Sequence, residues 1–140
     1  MKRILLTIVL IITTLICFSQ DSKVVVLRAY NLAMMEYNNI SEDWDILAEQ
    51  EVNIKGFYDY NNNVIKFYNS AETTLNLVTS VNADTSFDSE GNKSNYVEYL
   101  GFNQKGEEIN VLIRAWETKD VIQVYIVRGN NAYYYDCFIE

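Results

Sequence analysis

After residue 20 the chain alternates apolar and polar residues with the two-residue period of a half-buried β-strand. Val52 and Ile54 alternate with polar neighbours, and the same period recurs over 109–114 and 122–128. Tyrosine, valine, isoleucine, threonine and phenylalanine dominate these stretches, and strands favour all five. The pattern therefore predicts an all-β protein.

Short runs rich in asparagine, glycine and charge separate the alternating stretches. Because asparagine and glycine accept left-handed backbone geometry, 60–63, 103–107, 117–120 and 129–131 are predicted to be hairpin turns. Eight strands follow, over 23–37, 47–59, 63–69, 73–81, 94–103, 107–117, 120–128 and 131–139. The acidic segment 82–93 is the longest predicted connection.

Short connections make consecutive strands antiparallel neighbours, which predicts a single-domain up-and-down meander over 20–140. Curling the meander into a lipocalin-like barrel would remove the unpaired strand edges, and a two-sheet sandwich is the alternative. Residues 27–37 contain good helix formers but follow three valines, so a long strand is predicted there. Residues 41–47 open with Ser41, a good N-cap, and are predicted to form a single helical turn.

The first 19 residues have the pattern of a secretory signal peptide. Lys2 and Arg3 precede an apolar stretch over 4–16, and the small residues Cys17 and Ser19 occupy positions −3 and −1 of a predicted cut before Gln20. The stretch is shorter than the roughly 20 residues that span a bilayer, although a membrane anchor and lipidation of Cys17 are alternatives. We expect an exported protein, periplasmic or extracellular, with no stable membrane insertion after cleavage.

Composition removes several classes of chemistry. The chain has no histidine, which excludes Ser-His-Asp and Cys-His catalysis and histidine-ligated metals. A net charge of −8 argues against nucleic acid as a partner. After cleavage Cys137 is the one remaining cysteine, and it is predicted to be a buried residue beside an outward-facing Asp136. We expect no cofactor.

Several short segments follow one another in an order typical of a known group of proteins. They are the run 25–29, a Ser-x-x-Trp segment ending at Trp44, the strands 52–54 and 64–70, an acidic turn at 88–91 and an aromatic segment at 133–138. In this order the sequence resembles small secreted proteins of Bacteroidetes bacteria that have a meander-barrel shape and no established activity. The resemblance implies export and an all-β fold, and it supplies no site residues.

Aromatic residues are the strongest candidates for a binding site, because rings with a few polar groups suit sugars and flat apolar ligands. The predicted ligand-binding residues are Trp44, Tyr58, Tyr99, Arg114, Trp116 and Tyr135. The alternative is that these rings simply pack the barrel. Arg114, and likewise Arg28, could bind a carboxylate or could pair with an acid on the surface.

No metal site is predicted firmly, although Asp84, Asp88 and Glu90 have a spacing that could hold calcium. The same residues are typical of a solvated turn. The acidic cluster around Trp44 is interpreted as a solvated face rather than a carboxylate pair for hydrolysis.

Three hypotheses about function remain. The first is a non-catalytic binding module for a small apolar or sugar-like ligand or for an extracytoplasmic protein. The second is a structural or inhibitory interaction protein whose barrel is filled. A carboxylate-based hydrolase is a remote third, so we do not expect an enzyme.

Overall fold

The computed structural model describes residues 24–69 and 73–140, and within them the chain is all β. The strands are β1 (Val24–Asn38), β2 (Asp43–Asp59), β3 (Val64–Phe67), β4 (Thr73–Phe87), β5 (Lys93–Asn103), β6 (Glu108–Trp116), β7 (Ile122–Arg128) and β8 (Asn131–Ile139). The described residues contain no helix long and apolar enough to cross a membrane. The predicted signal peptide, 1–19, lies outside the described residues.

Each strand pairs antiparallel with the next, and β1 pairs with β8, so the sheet closes into a ring. The predicted eight-stranded up-and-down meander is confirmed, and the ring replaces the sandwich alternative. The predicted long strand over 27–37 is also confirmed, since it lies within β1.

Two local predictions are wrong. No helical turn forms at 41–47, because β2 begins at Asp43 and pairs at once with Asn38 of β1. The segment 82–93 is not a long loop, because β4 continues to Phe87, opposite Lys93. Only the turn between Phe87 and Lys93 remains of that loop. The Asp88 carboxylate holds this turn by accepting bonds from the backbone N–H groups of Glu90 and Asn92.

Large side chains fill the middle of the ring. The rings of Phe67 and Tyr135 stack there with centroids 4.1 Å apart, and both side chains are buried. Gly56 lies opposite Phe67 in the β2–β3 pair, and a Cβ at that glycine would lie 2.7 Å from the Phe67 ring. A glycine here therefore makes room for the aromatic ring. The other buried residues of this core are Leu27, Ala29, Ile65, Leu75, Leu77, Ile109, Val111, Val124, Ile126 and Cys137.

Cys137 is a free, buried cysteine on β8. Burial, with a smaller contribution from Asp136, raises the pKa of its thiol to about 12. Asp136 takes the opposite face and accepts hydrogen bonds from outward-facing Asn31 and Gln123. The predicted burial of Cys137 is confirmed, and the raised pKa makes this thiol a poor nucleophile.

The wall of the ring is uneven because β3 has four residues between two much longer strands. It pairs with Gly56–Asp59 of β2 and with Thr73–Asn76 of β4. Outside those paired residues, the side of β2 and the side of β4 that face β3 have no strand partner among the described residues. We call these stretches the β2 edge, residues 43–54, and the β4 edge, residues 78–87.

Candidate functional site

The six predicted binding residues do not form one site. Tyr58, Tyr99 and Tyr135 contribute to the interior core. Arg114 and Trp116 contact one another on the outside of the ring. Trp44 also lies on the outside, where it packs against a second cluster of buried residues that includes Ala33 and Tyr134.

Outward-facing residues from five strands line up around Arg114. Tyr96 of β5 lies opposite Arg114 of β6, and Arg114 lies opposite Gln123 of β7. Gln123 in turn lies opposite Asp136 of β8, and Asp136 lies opposite Asn31 of β1. All five residues are half-buried. We call this cross-strand series the polar row.

Hydrogen bonds fix the side chains of the polar row. Asp136 accepts from Asn31 Nδ2 at 2.9 Å and from Gln123 Nε2 at 2.8 Å. The Oε1 of Gln123 accepts from Trp116 Nε1 at 2.9 Å and from the Tyr125 hydroxyl at 3.1 Å. Gln123 therefore orients both rings as well as the carboxylate, which makes the row preorganised.

Arg114 lies among three aromatic rings. Its guanidinium carbon is 5.6 Å from the ring centre of Tyr96, 5.8 Å from that of Trp116 and 5.5 Å from that of Tyr125. Such cation–π contacts contribute about 0.5–2 kcal/mol each, more where water is excluded. Among the described residues Arg114 forms no salt bridge, and its buried Nε has no hydrogen-bond partner.

A second outward series runs beside the polar row and is mainly apolar. Leu112 lies opposite Tyr125, Tyr125 opposite Tyr134, and Tyr134 opposite Ala33. Ala33 lies on the outer side of the sheet, yet it is 0% exposed, as a member of the second buried cluster. The Tyr134 hydroxyl donates to Glu49 at 3.2 Å, and burial together with nearby carboxylates raises the pKa of Tyr134.

We call the polar row together with Trp116, Tyr125 and Tyr134 the outer aromatic face. Tyr134 and Tyr125 pack with ring centroids 4.9 Å apart, which joins the apolar series to the polar row. Burial raises the pKa of Tyr125, and the neighbouring Arg114 opposes that shift. The face thus combines rigid rings with a cation and a carboxylate in fixed positions.

The interior tyrosines offer a contrasting environment. Burial raises the pKa values of Tyr58 and Tyr99, whose hydroxyls hydrogen-bond to one another. Burial likewise raises the pKa of Tyr133 to about 12. Tyr135 accepts from Asn69 Nδ2 at 3.1 Å. These hydroxyls are therefore neutral packing groups near neutral pH.

The carboxylates considered for calcium do not converge. Asp84 accepts a bond from the backbone N–H of Thr85 on β4, whereas Asp88 accepts bonds within its own turn. Within 24–69 and 73–140 no group of three acids or thiols is placed to hold a metal ion.

No protein-family model, curated protein or solved structure matches this chain. The outer aromatic face is therefore the feature of the molecule that bears on its function. Sequence reasoning found Arg114 and Trp116 but missed Tyr96, Gln123 and Tyr125. The signal that could have found them is the cross-strand register of β5, β6 and β7, which follows from the positions of their two hairpin turns.

Proposed function

We propose that the protein is an exported, non-catalytic binding module that recognises a protein partner through its outer aromatic face. The observation that carries the proposal is Arg114, which three rings hold in place while no carboxylate of the described residues neutralises it. A carboxylate of the partner supplies the missing ion pair, and an adjacent apolar group packs on the rings.

The composition of the face supports a protein partner. Tryptophan, tyrosine and arginine are the residues that dominate the binding energy of protein interfaces. Here Trp116, Tyr125 and Arg114 lie together, and Gln123 fixes the two rings. Because their orientation is set before binding, little side-chain entropy is lost on association.

The interior supports the same choice over a carrier of small ligands. The stacked Phe67 and Tyr135 rings occupy the middle of the ring of strands, where a carrier would hold its ligand. A non-catalytic role is supported by the lack of histidine in the sequence and by the buried Cys137 thiol with its raised pKa. Export rests on the signal-peptide pattern of 1–19.

Fluorescence of Trp116 tests the proposal. The Trp44→Phe variant leaves Trp116 as the one tryptophan, since the chain has two. It is titrated with a capped Phe-Glu dipeptide, which presents one ring and one carboxylate, and with the matched Phe-Gln dipeptide. We expect a saturable change with the first probe and binding about tenfold weaker with the second, because only the carboxylate pairs with the guanidinium.

Arg114→Gln and Lys105→Gln provide the matched variants. Each removes one positive charge, but Lys105 lies in the exposed turn between β5 and β6. We expect only Arg114→Gln to abolish the preference for the carboxylate probe. Equal binding of both dipeptides to the parent protein would contradict the proposal, as would a small molecule that copurifies within the core.

A further inference from the structure

We propose that the β4 edge is a self-association surface, through which two copies of this chain pair antiparallel over Asn82–Phe87. The inference goes beyond the proposed function, because this edge belongs to β4 and the outer aromatic face does not include it.

The end of β4 is a regular strand with one free side. Its pairing with β5 shifts register between Leu77 and Thr79 and again between Ser80 and Asn82. From Asn82 to Phe87 the register with β5 is unbroken. Among the described residues β3 reaches only Thr73–Asn76 on the other side of β4. Every second residue of this segment, namely Ala83, Thr85 and Phe87, therefore presents its backbone groups to the free side, and such an edge is a template for pairing. The Thr85 N–H is bonded to the Asp84 carboxylate, and it would exchange that partner for the second copy.

Charge selects a second copy as the occupant. Two copies of a chain with net charge −8 repel one another, and the repulsion at contact is smallest where they meet at a surface with few charges. Asn82–Phe87 contains one acid, Asp84, and no base. Pairing with the acidic β2 edge of another copy would face Asp84 with further carboxylates, whereas self-pairing does not.

The side chains are complementary when Thr85 lies on the two-fold axis. Thr85 then faces Thr85 of the second copy, and the two side chains make an uncharged cross-strand contact while each hydroxyl keeps its hydrogen bond to Asn95 of its own chain. Asp84 faces Ser86, so that the two Asp84 carboxylates are not opposite each other. Phe87, which is 64% exposed, faces the small Ala83 and becomes covered. The result is an isologous dimer that joins the two sheets edge to edge.

Charge pairs across the proposed axis test this register. In A83E/F87E the introduced carboxylates at positions 83 and 87 face each other twice, so we expect the dissociation constant of the dimer to rise about tenfold or more. In A83E/F87K each introduced carboxylate faces an introduced ammonium group of the second copy, so dimerisation returns. Gln50→Glu adds a negative charge on the β2 edge and leaves the dimer unchanged. Circular dichroism confirms that each variant is folded.

Sedimentation equilibrium of the whole chain measures association, and hydrogen exchange locates it. We expect the amides of 82–87 to exchange more slowly as protein concentration rises. A protein that stays monomeric at about 1 mM would overturn the proposal. So would A83E/F87E dimerising like the parent, or A83E/F87K failing to recover. Protection of 82–87 that does not depend on concentration would mean that the edge is covered within one chain, and would also overturn it.

Discussion

The two free strand edges of this molecule share a cause but differ in chemistry. Both exist because β3 is four residues long, so that β2 and β4 extend past it. The β2 edge carries Asp43, Asp45, Glu49 and Glu51 with no base, whereas the β4 edge carries only Asp84. Exposed apolar residues occur on both, with Ile46 and Leu47 on the first and Val78, Val81 and Phe87 on the second.

The difference shows two ways in which a chain can manage an unpaired edge. The four carboxylates of the β2 edge disfavour pairing along its length, because they repel an approaching acidic strand. Register shifts interrupt both edges, but on the β4 edge they lie before Asn82 and leave Asn82–Phe87 regular. This regular segment carries a single charge, that of Asp84. One edge is therefore protected against pairing, and the end of the other is suited to it.

The largest expected effect comes from loosening β3, the short strand that lies between β2 and β4. Phe67 anchors β3 in the core through its stack on Tyr135. Phe67→Ala should lower the free energy of unfolding by about 3–5 kcal/mol, the usual cost of deleting a buried ring. Urea unfolding measures this effect, and hydrogen exchange should show the amides of β3 opening first.

Two substitutions control for that result. Tyr68→Ala removes a neighbouring ring that is 53% exposed, and it should cost much less. Phe67→Leu keeps most of the volume and should fall between the two. If Phe67→Ala and Tyr68→Ala cost the same, the stack is not the anchor of β3.

An intermediate effect is expected when the acidic edge is made neutral. D45N/E49Q/E51Q keeps hydrogen-bond acceptors for Asn38 and Tyr134 but removes three negative charges. We expect assemblies larger than a dimer, because the β2 edge then also accepts a strand. Sedimentation velocity at constant ionic strength measures their fraction.

The matched control is E90Q/E108Q/D120N, which changes the net charge equally at exposed positions away from the β2 edge. It should form no such assemblies. Equal association of the two triple variants would mean that net charge, rather than the charge on one edge, governs solubility.

The smallest effect concerns the turn that ends the β4 edge. Hydrogen bonds from Asn92, and also from the backbone of Glu90, lower the pKa of Asp88 in the folded state. Its contribution to stability is therefore full above the unfolded pKa of about 3.9 and is lost as pH falls through the lower folded value. Asp88→Asn should lower the melting temperature slightly at pH 6.

That difference between Asp88→Asn and the parent protein should vanish below the folded pKa, where both side chains are neutral. Thermal melts from pH 6 to pH 2 measure it, with Asp120→Asn as the control. A difference that persists unchanged to pH 2 would show that the Asp88 charge is not what holds the turn.

Sequence patterns predicted all eight strands but missed the start of β2 and the end of β4, which have no buried face. β6, β7 and β8 were predicted closely because core residues such as Val111 and Val124 recur at every second position. The end of β4 is predicted to be a loop because the segment 82–93 is acidic and contains Gly91. In the structure its residues lie on a ribbon that has no buried face. An exposed ribbon needs no alternation, so its strand character comes only from pairing with β5.

The outer aromatic face was predictable only in part, for a geometric reason. The residue types of Arg114 and Trp116 indicated binding chemistry, but their neighbours come from other strands. Asn31 reaches Asp136 through a register shift between Ala29 and Asn31. A shift of one residue moves every later side chain to the other face, and alternation alone does not locate it.

The pairing of β1 with β8 has a consequence for the order of folding. Every other pairing joins consecutive strands, so it can form as soon as a short hairpin is complete, within microseconds. The pairing of β1 with β8 places Leu27 beside Ile139 and must close a loop that contains all six other strands. A nascent or truncated chain without β8 therefore has two additional open edges, on β1 and β7, and the ring closes only after β8 has been synthesised.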